Sequence, residues 1–352
     1  MSVDNRTPFP ALAFRQYNMV GEMLGVVVAR GSFQLTNGGA LALAGKQYPL
    51  VMSDTYDGDP HKTSQVACTD LAPFKPGTDI TFLGASFAPD GVASPTWTCG
   101  FRVGEMNKRL RVHGPRFWRA RTRRTWKGLI DRDKETVLDG WELTEGQAVE
   151  YVALDWRLAF GGRTDTDCEA RNPIGIGLVD ERRFAEQHVW SAPQIELEDQ
   201  PICQVTDRLA PAGLAPISPF WKDRADRAGT YDEEWLDTRH PLLPPDFDFS
   251  FWQAAPRDQI ADQWLTGDEE FELHRLLPGI ETLKGRLPGI SLGISLDQGD
   301  GPKHAPMVLD GVHFDMRPGV GRVFLTWRVG FPWPDRKGLP KLFLNHETAE
   351  VA

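Results

Sequence analysis

Glycine and proline are unusually frequent in this sequence, and no other feature limits its possible folds as strongly. The 34 glycines and 27 prolines are 61 of the 352 residues, or about 17% where roughly 12% is typical. Proline interrupts a helix and glycine weakens one, so we do not expect long helices. The 12 tryptophans instead favour strands that pack on broad faces. The sequence therefore predicts a mainly β fold: antiparallel sheets in one or two sandwich-like lobes, with long ordered loops rich in Pro and Gly and few short helices.

Alternating and β-branched runs predict the individual strands. A hairpin is expected where residues 23–35 and 40–50 flank Asn37-Gly38-Gly39, since such residues supply the positive φ angles of a tight turn. Residues 321–329 alternate charged and apolar side chains, so we expect one face of that strand to be exposed. One or two short helices are expected within residues 258–276. Further strands are predicted at residues 80–88, 97–103, 109–112, 149–160, 290–296 and 308–329.

A change of character near residue 150 predicts a soft domain boundary. The chain is about twice as long as a typical single domain. We expect residues 1–150 to form an N-terminal β lobe and residues 151–352 to form a second β-rich lobe. Residues 201–256 are rich in Pro and Trp and show no helical pattern, which predicts either an ordered coat over a sheet or a binding surface.

The charge balance and the missing motifs exclude several functions. Lys and Arg number 39 against 49 Asp and Glu, a net charge of −10, whereas a nucleic-acid-binding protein needs a basic footprint. The four cysteines include no CxxC pair and the eight histidines no H-x-x-x-H pair, so no metal is expected. Neither a Walker A motif nor a complete dinucleotide fingerprint is present, so no cofactor is expected. Without a visible signal peptide or apolar run of spanning length, we expect a cytoplasmic protein that binds no membrane.

The sequence GISLG at residues 289–293 matches the G-x-S-x-G pattern of a hydrolase nucleophile elbow. That elbow needs a strand before the serine and a helix after it. Here Ser291 lies within one alternating strand pattern, and a turn follows. We therefore interpret the match as accidental. The acids and histidines available for a triad also lie too close in sequence for that fold: Asp300, Asp310, His304 and His313.

An acidic stretch at residues 231–272 supports a second enzymatic hypothesis. Paired carboxylates beside aromatic platforms are typical of glycoside hydrolases, so Asp246 and Asp248 are candidate catalytic residues of a carbohydrate-active hydrolase. Alternatively, the two aspartates cap turns through bonds to backbone N–H groups, and we favour this interpretation. The stretch contains twelve acids and the tryptophans Trp235, Trp252 and Trp264.

A basic strip at residues 108–127 contains nine Lys or Arg and no acid, with aromatic residues interleaved. Such a strip can bind a phosphate backbone. The net negative charge of the whole chain instead favours a negatively charged protein partner, because complementary charge speeds and orients docking. The candidate partner-binding residues are Arg116, Arg119, Arg121, Arg123 and Arg124 of the strip, together with Trp235 and Trp252 of the acidic stretch.

Seven phrases, taken in order, resemble one bacterial family. They are DLAPFKPGTD (70–79), WRLAFGG (156–162), NPIGIG (172–177), PAG (211–213), AGTYD (228–232) followed by Trp235, PPDFD (244–248) and GDE (267–269). As a set they resemble domain-of-unknown-function family 2169 (DUF2169), and the resemblance runs over residues 23–329. The chain departs from the family pattern at residues 58–62 and at Ala170-Arg171, outside these phrases.

The resemblance implies a role in the type VI secretion system. Members of the family act as adaptors or chaperones that hold a toxic effector in the cytoplasm and help to load it onto the spike protein. No catalytic residue is recognised for the family, so the resemblance implies a protein that is not an enzyme, with the effector and the spike protein as partners. We expect the matching residues to support the fold rather than to contact a partner. They are Lys75, Pro76, Gly77, Trp156, Arg157, Phe160, Gly161, Gly162, Asn172, Pro173, Gly175, Gly177, Tyr231, Asp232, Asp246, Phe247 and Asp248.

Overall fold

The chain folds mainly into β-strands joined by ordered loops. The computed structural model describes residues 3–36, 38–126, 134–185, 187–297, 301–333 and 341–346. The predicted mainly β class is confirmed. The strands are β1 (Val3–Asn5), β2 (Ala11–Tyr17), β3 (Met23–Gln34), β4 (Ala42–Leu43), β5 (Thr55–Tyr56), β6 (Gln65–Ala67), β7 (Thr78–Leu83), β8 (Ala85–Phe87), β9 (Thr96–Val103), β10 (Met106–His113), β11 (Arg116–Trp126), β12 (Lys134–Leu143), β13 (Tyr151–Ala153), β14 (Phe160–Gly161), β15 (Ile176–Gly177), β16 (Val189–Ala192), β17 (Ile195–Leu197), β18 (Ile260–Ala261), β19 (Glu270–Leu277), β20 (Ile280–Arg286), β21 (Leu292–Asp297), β22 (Pro302–Pro306), β23 (Val308–Asp315), β24 (Arg322–Pro332) and β25 (Lys341–His346).

Helices are few and short within these ranges. The α-helices α1 (Lys222–Ala225) and α2 (Glu233–Thr238) both lie in the proline-rich segment. Among the described residues, no helix has the length and apolar character needed to traverse a bilayer. Short 3-10 turns form at Pro89–Gly91, Trp156–Leu158, Glu181–Arg183, Phe249–Trp252 and Arg257–Gln259.

The largest sheet has seven strands in the order β18-β7-β23-β24-β3-β2, with β4 added to β3. The pair β7–β23 is parallel, and the other neighbours are antiparallel. Strand β3 is buried without interruption from Gly25 to Phe33. Continuous burial of this kind is expected of a strand that is covered on both faces.

A five-stranded antiparallel sheet, β17-β10-β9-β19-β20, packs against the seven-stranded sheet. In β10, the buried Leu110 and Val112 alternate with more exposed residues, so one face of the strand points into the core. Phe271 of β19 meets Phe314 of β23 edge to face, with ring centroids 5.4 Å apart. The inner faces of the two sheets therefore enclose one large apolar core, as in a sandwich.

The smaller sheets include one of four strands and one of three. One has the strand order β1-β25-β21-β22, and the other has the order β12-β11-β16. The second of these covers a separate apolar cluster that includes Trp118 and Phe160. Strands from both sides of residue 150 are neighbours in the five-stranded and seven-stranded sheets, so these sheets do not divide at that position.

Several predicted elements are confirmed and others are wrong. The strands predicted at 97–103, 109–112 and 290–296 correspond to β9, β10 and β21. Residues 149–160 do not form one strand, because Asp155 accepts a 2.8 Å bond from the Arg157 backbone N–H and starts a 3-10 turn. The prediction of one or two short helices within residues 258–276 is also wrong. The end of that range, from Glu270 onward, is β19, which buries Phe271 and Leu273 in the core.

The prediction that one face of residues 321–329 is exposed to solvent is also wrong, for a different reason. Thr326 and Arg328 of β24 are buried, because the segment 70–79 covers that face of the strand and supplies partners for them. In the predicted hairpin, only Ala42–Leu43 pairs with β3, and Asn37 of its turn lies outside the described residues. The predicted strand at 80–88 is divided into β7 and β8 at Gly84, whose φ is 156°.

Candidate functional site

The basic strip is divided between two sheets: residues 108–113 belong to β10 of the five-stranded sheet, and residues 116–126 form β11, one strand of a two-stranded ribbon. β11 pairs with β12 in antiparallel register from Trp118–Leu143 to Trp126–Lys134. β16 pairs only with residues 116–119 of β11. Beyond Arg119 the ribbon therefore has no third strand within the described residues, and we call this part, residues 120–126 with 134–141, the free ribbon. Lys127 of the predicted strip lies outside the described residues.

Most of the predicted arginines are exposed on this ribbon. Arg119, Arg121, Arg123 and Arg124 all face solvent. Arg123 is paired with Asp139 of β12 at 3.1 Å. Within the described part of the chain, Arg119, Arg121 and Arg124 form no ion pair, so their charges are available to a partner.

Arg116 does not belong to the exposed strip. Its side chain is buried, where Nε donates to the Pro193 carbonyl at 2.6 Å and Nη2 donates to Glu196 at 2.8 Å. Burial opposes ionisation of Glu196, but the His113 hydrogen bond, the Arg116 charge and the Ile202 N–H together lower the pKa of Glu196 to about 2. Arg116 therefore joins the base of the ribbon to β17 and is not a docking residue.

Trp235 and Trp252 lie in the proline-rich coat and are partly buried. Trp235 donates from Nε1 to the Leu242 carbonyl at 2.9 Å and packs against Tyr231, with ring centroids 4.7 Å apart. Trp252 packs against Phe247 and Phe251. No hydrogen bond, ion pair or ring contact among the described residues joins these tryptophans to the ribbon, so the structure does not bring the two predicted surfaces together.

The aspartates of the glycosidase hypothesis shape turns. Asp246 accepts hydrogen bonds from the backbone N–H and the hydroxyl of Thr230, at 3.0 and 2.8 Å, and these bonds lower its pKa. Asp248 accepts a 2.8 Å bond from the Ser250 N–H, and Asp232 caps α2 through the Trp235 N–H. A glycosidase general acid needs a raised pKa. The geometry therefore agrees with the turn-capping interpretation.

Ser291 does not have the geometry of a nucleophile elbow. It is exposed and precedes β21, so the strand follows the serine rather than leading to it. His313 is partly buried, and its Nδ1 lies 2.7 Å from Thr81 Oγ1. Asp300 lies outside the described residues. No grouping of His, Cys, Asp or Glu among the described residues could hold a metal ion.

The second and third family phrases, residues 156–162 and 172–177, are joined by hydrogen bonds from Asn172. This side chain is fully buried, and its Nδ2 donates to the carbonyls of Trp156 at 2.8 Å and Phe160 at 3.0 Å. Trp156 in turn donates from Nε1 to the Ala215 and Pro216 carbonyls. A side chain that bonds two buried carbonyls fixes the path of the loop around it. In the second phrase, Arg157 is exposed and bonds Asp155.

Glycines make this close approach possible. Gly161 has φ 152°, and a Cβ there would lie 2.2 Å from the Asn172 carbonyl oxygen. Gly162 and Gly175 are similarly crowded, since an added Cβ would meet backbone oxygen at 2.5 and 2.7 Å. Gly177 has φ 99° and faces Pro193. These positions accept only glycine without displacement of the backbone.

The first family phrase supplies partners to buried charges, which the sequence analysis missed. Asp70 accepts a 3.1 Å bond from Arg30, and its backbone carbonyl accepts from Arg328. Lys75 donates to Asp79 at 2.8 Å. The spacing of four residues between Lys75 and Asp79 is the one local signal in the sequence for this pairing.

Asp310 completes this buried cluster. It is fully buried and accepts a 2.5 Å bond from Arg328, while its other oxygen, Oδ1, has no hydrogen-bond partner among the described residues. Burial raises the pKa of Asp310, and the positive charges of Arg328 and Lys75 oppose that change. Loss of one member of a buried ion pair typically costs ~3–5 kcal/mol. The segment 70–79 therefore covers this part of the seven-stranded sheet and is held there by charge pairs as well as apolar contacts.

These features define a mainly β protein in which recurrent Gly, Pro and Asn phrases hold long loops in fixed positions. The chain belongs to the family described as "Uncharacterized protein conserved in bacteria (DUF2169)", whose family model matches residues 21–328. No curated protein and no solved structure matches the chain.

Proposed function

We propose that this protein is a non-enzymatic adaptor or chaperone that binds a type VI secretion effector in the cytoplasm and promotes its loading onto the spike protein. The family phrases support this role, because the resemblance described above implies it. The free ribbon supports it further, because its strand edges and its charges are exposed.

The free ribbon carries the proposal because it offers both unpaired backbone groups and unpaired charge. Beyond Arg119, one edge of β11 and the outer edge of β12 have no neighbouring strand among the described residues. Exposed strand edges can accept an additional strand from a partner. Arginines on such an edge repel a second copy of the same ribbon and attract an acidic strand.

The ribbon also presents an apolar anchor. Trp126 is 60% exposed, and the Lys134 ammonium lies 4.8 Å from its ring centroid. Tryptophan and arginine are the residue types that contribute most often to binding hot spots. The proposed client segment is therefore extended and acidic, with at least one apolar side chain that reaches Trp126.

Charge reversal on the ribbon tests this proposal. Arg121→Glu combined with Arg124→Glu removes two unpaired charges and introduces two of opposite sign. At ~0.2–1 kcal/mol for each exposed charge pair lost or reversed, we expect affinity for the co-expressed effector to fall about tenfold at low salt. The matched control is Arg121→Lys with Arg124→Lys, which keeps both charges and should bind nearly as well. Equal affinity of the Glu variant and the wild-type protein at low salt would exclude the ribbon as the docking element.

A further inference from the structure

A polar cavity of about 250 Å³ lies at the edge of the proline-rich coat. Arg224 and Arg227 line it from α1 and the residues just after that helix, and Arg257 lines it from the 3-10 turn that begins there. Gln253, which directly follows another 3-10 turn, also lines it. The cavity has room for several water-sized groups, at ~30 Å³ each. Three segments of the coat therefore converge on one space and bring three positive charges to it.

Arg224 is a buried cation without an acidic partner. The residue is 3% exposed, and it donates from Nε to the Phe251 carbonyl at 2.9 Å and from Nη1 to the Ile217 carbonyl at 2.8 Å. Within the described residues it forms no ion pair, and Nη2 has no acceptor there although it is not enclosed. The Phe251 ring, 5.2 Å from Cζ, supplies only a partial negative charge. Because a buried charge is costly unless it is paired, this arginine favours an anion in the cavity.

The other charges around the cavity do not balance the arginines. Arg227 and Arg257 also form no ion pair among the described residues. Two acids line the cavity, and one of them, Asp226, is neutralised by the Lys222 ammonium at 2.5 Å. Asp223 is the other acid, so three arginines less one carboxylate leave an excess of two positive charges.

Gln253 adds a neutral donor to these charges. It is 4% exposed, and its side-chain amide forms no hydrogen bond within the part of the chain that the structure describes, although the amide is not enclosed. Buried amides are nearly always hydrogen-bonded, so a free N–H beside arginines favours an oxygen ligand. A neighbouring cavity shares this amide and two of the arginines but is also lined by Asp248 and Asp262. The anion is therefore expected on the Arg224 side.

We propose that the cavity binds a phosphate group, either as the free ion or as the end of a small phosphate ester. A phosphate group carries a charge of about −1.5 to −2 at pH 7, which matches the excess of two positive charges. Its oxygens accept from Arg224 Nη2, from the other two guanidinium groups and from the Gln253 amide, whereas a carboxylate offers two oxygens and one charge. The bound anion joins the three segments of the coat, and its binding does not depend on the adaptor role.

Isothermal titration calorimetry of the full-length protein with sodium phosphate, in a chloride buffer of constant ionic strength, tests the site. Phosphate should bind, and acetate, which carries one negative charge, should bind more weakly. Arg257→Gln removes a charged donor and should weaken phosphate binding about tenfold. Arg163→Gln, at an exposed position outside the cavity, is the matched control and should bind as the wild-type protein does. Glycerol phosphate distinguishes the two sources, since tighter binding than phosphate indicates an ester and weaker binding indicates the free ion.

A second variant supplies the missing negative charge within the chain. Gln253→Glu keeps the shape of the side chain and places a carboxylate among the arginines. It should therefore abolish phosphate binding without lowering the melting temperature. Phosphate should raise the melting temperature of the wild-type protein, because a ligand of the folded state stabilises it, and should leave that of Gln253→Glu unchanged.

Three results would overturn the inference. They are no binding of phosphate at millimolar concentration, equal affinity of Arg257→Gln and Arg163→Gln for phosphate, or acetate binding as tight as phosphate binding. Phosphate binding by a folded Gln253→Glu variant with the affinity of the wild-type protein would equally place the ion elsewhere on the molecule.

Discussion

Replacing Arg116 is expected to destabilise the protein strongly, although the residue belongs to the basic strip, whose sequence pattern predicts an exposed surface. Arg116→Met keeps the length of the side chain but leaves Glu196 buried without its ionic partner. The pKa of Glu196 is lowered to about 2 from an ordinary value of 4.5, which corresponds to about 3 kcal/mol of folding free energy that the His113 hydrogen bond, Arg116 and the Ile202 N–H supply together. Breaking a buried pair costs ~3–5 kcal/mol by comparison with other proteins. We therefore expect Arg116→Met to lower the free energy of unfolding by about 3 kcal/mol at pH 7.

The same pair predicts a pH dependence. Because the folded-state pKa of Glu196 lies below its unfolded value, its stabilisation is fully present above pH 4.5 and is lost as the pH falls toward 2. In Arg116→Met this contribution is already reduced. The free energies of unfolding of the wild-type protein and of Arg116→Met should therefore differ by about 3 kcal/mol at pH 7 but by only about 1 kcal/mol at pH 3.

Urea unfolding followed by tryptophan fluorescence measures both effects. The matched control is Arg119→Met, the same substitution three residues further along β11 at an exposed position. We expect that control to change the free energy of unfolding by less than ~0.5 kcal/mol. A loss below 1 kcal/mol in Arg116→Met at pH 7, or a difference that stays constant down to pH 3, would refute the reasoning about the buried pair.

Two further predictions concern the family phrases. Asn172→Ala leaves two buried carbonyls without their side-chain donor and should lower the free energy of unfolding by ~2–4 kcal/mol. Urea unfolding measures this loss, and Asn107→Ala, at an exposed position, is the control. Equal stability of the two variants would contradict the prediction. Gly77→Ala places a Cβ 2.1 Å from a backbone carbonyl oxygen and should lower the melting temperature by several degrees, since overpacking costs ~1–3 kcal/mol. Gly45→Ala, where an added Cβ meets nothing within 4 Å, is its control, and a melting temperature as high as that control's would contradict the crowding argument.

The sequence predicted the fold class because its strongest signals are local. Gly and Pro exclude long helices wherever they occur, and alternation such as that in β10 requires only neighbouring residues. The local pattern of residues 258–276 predicted one or two short helices. The strand β19 forms there because Phe271 and Leu273 pair between β9 and β20, which are distant in sequence.

The candidate site was less predictable because its charges are paired across long distances. Arg116 is 80 residues from Glu196 in sequence, and Arg328 is 258 residues from Asp70. Local charge patterns therefore placed Arg116 on a surface strip and Arg328 on an exposed face, whereas both are buried. The same strip correctly indicated four exposed arginines, namely Arg119, Arg121, Arg123 and Arg124. They are exposed because β16 ends before most of them and leaves the ribbon uncovered.

Co-expression of the protein with a type VI secretion effector toxin from the same organism, followed by size-exclusion chromatography with light scattering, tests the central claim most directly. We predict one peak whose mass equals a stoichiometric complex, a toxin that is insoluble or unstable alone, and about tenfold weaker association at low salt in Arg121→Glu with Arg124→Glu. Separate peaks for the two proteins, with the toxin soluble by itself, would contradict the adaptor function.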